Sequence, residues 1–198
     1  MYSPKPFKIK DRDEIISFIA NNGLAMIISS SSSYPIASHI PLIVKNDKLV
    51  GHFAKANPHV DFLKSNAEVL LIFSGAESYI SAYAKDPKDL SILPTWDYQI
   101  VQVKGKLTFI SEEELIITLD TLMKHHEYQE PRALELKEYP ESVFRKKIKA
   151  IIGFEIIIED WIGCFRLNQN RSPQERENIK LHLKDNQELV KAIDKYNV

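Results

Sequence analysis

One cysteine, Cys164, occurs among the 198 residues of this chain. An internal disulfide and a cysteine-based metal cluster are therefore excluded. Glycine is scarce too, six in all, and no Gly-rich loop of the dinucleotide-binding or P-loop type is present. Any phosphate bound here must be held by side chains and by backbone at a helix end. No apolar run approaches the length of a membrane span, and Met1-Tyr2-Ser3-Pro4-Lys5-Pro6 lacks the apolar centre of a signal peptide. A cytoplasmic protein with no membrane partner is the expectation. A net charge of −1 argues against a surface built as a whole for nucleic acid, so DNA is a partner unsupported by charge. The basic cluster Arg145-Lys146-Lys147 with Lys149 reads as a solvated helix face. His125-His126 points its rings about 100° apart on a helix, which does not suit a shared metal ion. No nucleophile-elbow pattern surrounds any serine, and hydrolase chemistry has no support.

What is there reads as one soluble domain, with hydrophobic residues at 44% and charged residues at 27%. Asp11 can cap a helix carrying Ile15, Ile16 and Ile19, with Gly23 ending it. Leu24 to Ser30 reads as a buried strand, and the serine run 29–33 as a loose hairpin loop. Ile36 to Val44 alternates, with Pro41 implying an edge or a bulge. Asn46-Asp47 supplies the turn into Leu49 to Ala54. A short helix from Pro58 to Lys64 precedes apolar strands at Ala67–Phe73 and Ser78–Ala82. Tyr83 to Leu93 reads as an exposed loop, and Thr95 to Phe109 as a long strand. Ser111 with Glu114 forms a capping box for a helix reaching about His125. After an irregular stretch come a helix at Glu141–Lys149 and a strand at Ile151–Ile158. Ser172-Pro173-Gln174-Glu175 opens one closing helix to about Lys184, and Glu188 to Tyr196 forms another. Many strands with short turns, and helices between or after them, point to a mainly β, α+β chain built on an antiparallel barrel. Residues 1–170 would form the barrel and 171–198 a helical tail.

The most informative stretches are 36–42 and 51–58. They gather Ser38, His39, His52, Lys55 and Asn57 where a plain hairpin would need only apolar and β-branched residues. Asn57 before Pro58 reads as an N-cap with proline in the first turn, leaving backbone N–H groups that favour an anion, and Lys55 adds a positive charge. A phosphate pocket fits this set; a wet strand face beside an ordinary cap is the plain alternative. Pro94-Thr95-Trp96-Asp97-Tyr98 places Trp96 and Tyr98 on one side, either walling a flat ligand or plugging a core. Leu167-Asn168-Gln169-Asn170-Arg171 offers amide donors and acceptors suited to a flavin or base edge, or simple loop polarity.

Together these segments, with Met1–Phe7, Ala37-Ser38-His39-Ile40-Pro41-Leu42, Gly51–Pro58 and Tyr79-Ile80-Ser81, resemble the PaiB family of FMN-binding negative transcriptional regulators. The resemblance implies an antiparallel six-stranded FMN-binding split β-barrel with peripheral and C-terminal helices. It further implies a homodimer with FMN at the subunit interface, and regulation linked to protease production and sporulation. By position, Ser38, Lys55 and the backbone at Ala56-Asn57 would hold the FMN phosphate. His39 and His52 would lie nearby, Trp96 would flank the ring, and Gln169 and Asn170 would come from the C-terminal segment. The chain departs from the family pattern at Gly75-Ala76, Ala82-Tyr83-Ala84-Lys85, Asp97 and Cys164. A flavin-dependent oxidoreductase using NAD(P)H, with His39 and His52 as proton handlers, is one alternative function. A split-barrel dimer without tight flavin binding is another.

Overall fold

The computed structural model of the chain describes residues 1–30, 33–85, 88, 93–128, 130, 132 and 134–196. The strands are β1 Lys8–Ile9, β2 Leu24–Ser29, β3 Ile36–Pro41, β4 Ile43–Lys45, β5 Lys48–Ala54, β6 Glu68–Ile80, β7 Thr95–Phe109 and β8 Ile151–Arg166. The helices are α1 Arg12–Asn21, α2 His59–Ser65, α3 Ala82–Lys85, α4 Glu112–Glu127, α5 Glu141–Lys149, α6 Pro173–His182 and α7 Gln187–Lys195, with 3₁₀ turns at Lys5–Phe7 and Leu136–Glu138. The hydrogen-bonded order of the sheet is β3-β2-β6-β7-β8-β5-β4, and β1 pairs with β8. The sheet thus has eight strands, where the sequence implied six. Two compact units divide the chain. The first comprises Met1–Phe18, Phe73–Gln102 and Ile162–Val198; the second comprises Ile19–Ile72 and Val103–Trp161.

Within the second unit, β3 and β4 stand at opposite ends of the strand order yet follow one another in the chain, separated by Leu42 alone. Ile36 to Val44 is therefore two edge strands with a corner rather than one continuous strand, which is how Pro41 is accommodated. The corner brings both Leu42 and Ile43 into the interior, although strict alternation would put them on opposite faces. The Leu42 N–H donates to the Gly23 carbonyl at 2.8 Å. Gly23 has no positive φ, so it does not end α1 in the left-handed manner expected of a terminal glycine. Its role is close approach: a Cβ there would lie 2.8 Å from the Leu42 carbonyl oxygen.

The turn between β4 and β5 is a tight hairpin with Asn46 at φ 50° and Asp47 at φ 64°, the left-handed pair that two-residue hairpins require. β5 then pairs antiparallel with β8 from Lys48↔Ile157 to Ala54↔Ile151. Phe53 and Phe154 meet in the core of this unit with ring centroids 4.8 Å apart. Gly105 of β7 marks the tightest contact, because a Cβ would fall 2.5 Å from the Ile157 carbonyl oxygen. Gly105→Ala should cost about 1–3 kcal/mol of stability in denaturant unfolding, since backbone cannot yield as a side chain does. Wild-type stability in that variant would remove the close-approach argument.

Three elements are longer or more ordered than sequence punctuation suggests. Gly75-Ala76 does not break β6, which runs unbroken from Glu68 to Ile80. Gly75 instead admits the Phe18 ring, whose Cε2 would be 2.7 Å from an added Cβ. β8 continues past Ile158 through Glu159-Asp160, whose carboxylates pair across strands with Lys106 at 3.1 Å and Lys104 at 3.6 Å. Its last part pairs with β1 at Cys164 and Gly163. Ala82 starts the short helix α3 rather than ending a strand, and Lys85 at its end is buried, where a wholly exposed loop was expected. The rest of the expected 83–93 loop lies mostly outside the described residues, as does the centre of the serine run.

In the first unit, Phe165 packs between Phe18 and Tyr196 with centroid distances of 4.8 and 5.2 Å. Ile179 of α6 and Leu189 and Ile193 of α7 are buried there too. Both expected capping boxes are formed, Ser111 with Glu114 and Ser172 with Glu175. Replacing Ser172 by Ala should cost about 1 kcal/mol of stability, measured by chemical denaturation, because the Glu175 N–H of α6 loses its partner.

Candidate functional site

The polar cluster of the second unit is built by β2, β3 and the start of α2. Ile27↔Ser38 and Ser29↔Ile36 are facing pairs in the β2–β3 ladder, so Ser38 lies on the face that buries Ala25, Ile27 and Ser29. Asn57 reaches this face from the chain entering α2. Its Oδ1 accepts from the His59 N–H at 3.0 Å, and its Nδ2 donates to Ser38 Oγ at 3.1 Å. The fully buried His59 lies between two serines, with Nδ1 3.0 Å from Ser38 Oγ and Nε2 2.8 Å from Ser29 Oγ. Burial lowers the His59 pKa below its ordinary value, so the ring is held neutral.

α2 starts one residue later than expected, with Pro58 rather than Asn57 in the cap position; Asn57 still accepts the first helical N–H, and the N–H groups there are taken up internally. The Val60 N–H donates to the Asn57 carbonyl at 3.0 Å, and the Lys55 N–H to Ala150 at 2.9 Å. α2 has seven residues, so its dipole is short and the anion preference must come from side chains. Lys55 and Ala56 are exposed beside it, and Ser38 is half-buried. Ser38 and Asn57 therefore form one polar corner, and the exposed Lys55 lies two residues before Asn57 in the chain.

His39 and His52 do not share that corner's inner face. His39 alternates with Ser38 on β3 and is exposed on the opposite side. His52 alternates with the buried Phe53, so it shares the side of Val50, which packs with Ile43 and Leu122 of α4. Its Nδ1 is buried without a hydrogen-bond partner, and burial lowers its pKa. The sequence grouped these two histidines with Ser38 because they are near in number; the pleat separates them.

The first unit holds the remaining expected residues. Trp96 is 52% exposed and meets Tyr79 edge-on at 6.2 Å between centroids. It is not a core plug. Asp97, on the other face of β7, is fully buried and accepts a hydrogen bond from Asn168 Nδ2 on its Oδ2, while Oδ1 has no partner. Burial raises the Asp97 pKa to about 7, against the opposing influence of the Asn168 hydrogen bond and of Arg166, Lys85 and Arg171. Lys85 is equally buried, and its ammonium donates to the Leu93 carbonyl at 2.7 Å. Burial, then the charge of Arg171, lowers the Lys85 pKa.

The Gln169 side chain is occupied at both ends, with Oε1 accepting from the Leu167 N–H at 2.8 Å and Nε2 donating to the Phe165 carbonyl at 2.6 Å. It staples the turn in which Asn168 takes φ 63°. Asn170 is exposed. Cys164 is buried, its thiol 3.8 Å from the Tyr98 hydroxyl, so this departure from the family pattern is an interior position.

A family model described as "Putative FMN-binding domain" matches residues 1–160. The chain belongs to this FMN-binding domain family. Among its relatives is the protease synthase and sporulation protein PAI 2 of Bacillus subtilis, 30% identical over 185 residues, which span 90% of this chain and 87% of that one. Solved structures of similar fold include a FAD and heme binding protein from Mycobacterium smegmatis, at TM-score 0.61 and 17% identity over 80% of this chain and 73% of that one. Another is the flavocytochrome Anf3 from Azotobacter vinelandii, at TM-score 0.59 and 15% identity over 81% and 69%. The fold is the antiparallel split barrel of flavin-binding proteins, as the sequence implied. Among the described residues no helix is long and apolar enough to cross a membrane, and no cluster of His, Cys, Asp or Glu could hold a metal ion.

Sequence reasoning did not single out His59, Ser29 or Lys85, and it read Asn168 only as one of a run of amides. Ser29 hid in a run that looked like low complexity, and a lone histidine in a helix start carries no signal of its own. Within the second unit, the Ser38 hydroxyl and the Asn57 amide are groups of the kind that bind phosphate.

Proposed function

We propose that this chain is an FMN-binding regulator working as a homodimer, with the flavin phosphate held at the Ser38 corner. The carrying observation is the hydrogen bond that joins the Ser38 hydroxyl to the Asn57 amide, two residues after the exposed Lys55. FMN would supply a phosphate dianion and a redox-active ring. Ser38 donates its hydroxyl to a phosphate oxygen, Lys55 neutralises charge, and the backbone at Ala56-Asn57 lines the approach. Trp96 offers its exposed ring as a surface for a flat aromatic system. Gln169 shapes its own turn, and Asn170 alone of that amide pair is free to reach a ligand.

The regulatory role is of the kind that the name of the Bacillus subtilis relative indicates. Its action through a ligand or a protein partner is favoured over direct DNA reading by the chemistry of the closing helices. Lys180 of α6 is tied to Glu177 and Asp194, each at 2.6 Å, and so is spent within the protein. A recognition helix needs such cations outward. The test is gel filtration of the purified protein with added FMN, monitoring flavin absorbance and mass together. Co-elution of flavin with a particle of twice the chain mass is expected; a monomer that sheds all flavin would contradict the proposal.

A further inference from the structure

The hydrogens of the Ser29–His59–Ser38–Asn57 network can be counted, and the count leaves one arrangement. The Asn57 amide cannot be turned round, because its Oδ1 accepts from the His59 backbone N–H. Its Nδ2 therefore fills one lone pair of Ser38 Oγ. A neutral imidazole has one N–H, which leaves two tautomers.

With the proton on Nε2, the ring would donate to Ser29 Oγ and accept the Ser38 proton on Nδ1. The Ser29 hydroxyl hydrogen would then have no acceptor, since Ser29 is buried away from solvent and His59 is its only side-chain hydrogen-bond partner among the described residues. A buried donor without an acceptor is costly and rare. With the proton on Nδ1, Ser29 donates to Nε2 and the ring donates to Ser38 Oγ. Every buried hydrogen then has an acceptor. Both lone pairs of Ser38 are filled, and only its own O–H is left over, on a residue that is half-buried and can turn it outward.

We propose that His59, with Ser29 behind it, is a positioning residue that commits the Ser38 hydroxyl to donating, so that this corner takes an anionic oxygen and refuses a donor. The proposal deepens the reading of this corner as the FMN phosphate site and rests on it for the identity of the ligand. Its core claim concerns the protein alone. Ser38 would otherwise be ambivalent, since a hydroxyl can donate or accept; the buried histidine removes that choice. An anion is then selected by the direction of one O–H rather than by charge alone.

The experiment is long-range ¹H–¹⁵N correlation spectroscopy of the imidazoles in labelled full-length protein, without ligand and with FMN. His59 is expected to carry its proton on Nδ1 in both states. FMN titrations of variants supply the second arm. His59→Asn keeps a donor near the Nδ1 position and should bind FMN within about threefold of wild type, whereas His59→Leu should bind at least about tenfold more weakly. Circular dichroism establishes that each variant is folded, and should His59→Leu fail to fold, the tautomer and the Asn variant decide. A proton on Nε2, or wild-type affinity in a folded His59→Leu, would overturn the proposal. Absence of FMN binding by the wild-type chain would overturn the flavin reading alone, because the tautomer is read from the protein itself.

Discussion

Replacing Asp97 by Asn should abolish a loss of stability that the wild type suffers between about pH 4 and 7. In the folded chain burial holds the Asp97 carboxyl at about 7, against 3.8 when exposed. The folded state therefore binds this proton more tightly than the unfolded state does. The associated stability is fully present below about pH 4 and is lost as the pH rises through 7. At about 1.4 kcal/mol per pH unit, the rise from 3.8 to about 7 corresponds to a loss on the order of 4 kcal/mol. Asparagine resembles the protonated acid, with an oxygen to accept from Asn168 and no charge to desolvate. Lys85 loses a counter-charge in the variant, which trims the gain at high pH. The histidines act in the opposite sense. Burial depresses the pKa values of His52 and His59, so their stability is present above their ordinary value of 6.5 and lost as pH falls below it. Thermal melts from pH 5 to 8.5 should show wild type losing the Asp97 contribution up to about pH 7 and levelling off above it, while Asp97→Asn shows no such fall. Parallel curves for the two proteins would show that Asp97 is ionised at no cost.

Replacing Lys55 by Ala should weaken FMN binding by between about tenfold and a hundredfold, the worth of one charge-assisted hydrogen bond. Lys55 is exposed next to the turn that its own backbone N–H anchors to Ala150, so its truncation leaves the fold in place. The effect should shrink with added salt, because an exposed cation is screened. Replacing Lys64, which is also exposed near α2 but paired with Asp61 at 2.8 Å, should leave FMN affinity unchanged. Fluorescence titration at two ionic strengths separates these cases. Equal losses in the two variants would mean that the loss reflects general surface charge and that Lys55 has no special place at the phosphate.

Local chemistry was legible in the sequence wherever it acts over a few residues. Ser111 and Ser172 cap the helices that their spacing announces, Asn46-Asp47 makes the hairpin turn, and β7 runs between the bounds that alternation sets, Thr95 and Phe109. Long-range pairing was not. Glu159-Asp160 lies past the strand end expected at Ile158, and the partners it meets, Lys106 and Lys104 of β7, are more than fifty positions away. Gly75 reads as a break until the Phe18 ring is placed against it. The corner at Leu42 follows from closing the sheet, which no window of eight or ten residues contains.

The candidate site divides the same way. Ser38, Asn57 and Lys55 were visible because cap chemistry and a lysine beside it are local signals. His39 and His52 were near in number but point away, since alternate residues of a strand face opposite sides. His59 and Ser29 were invisible because they are 30 positions apart and each is unremarkable alone. Asp97, a departure from the family pattern, turns inward to Asn168, and its charge is a matter for the fold.

The phosphate claim is tested most directly by comparing FMN with riboflavin, which has the same ring and lacks the phosphate. Fluorescence titration of the wild-type protein should give an affinity for FMN at least about tenfold above that for riboflavin, and Ser38→Ala with Lys55→Ala should erase most of the difference. Equal affinity for the two flavins would contradict the account, because it would place the recognition on the ring and leave the Ser38 corner without a ligand.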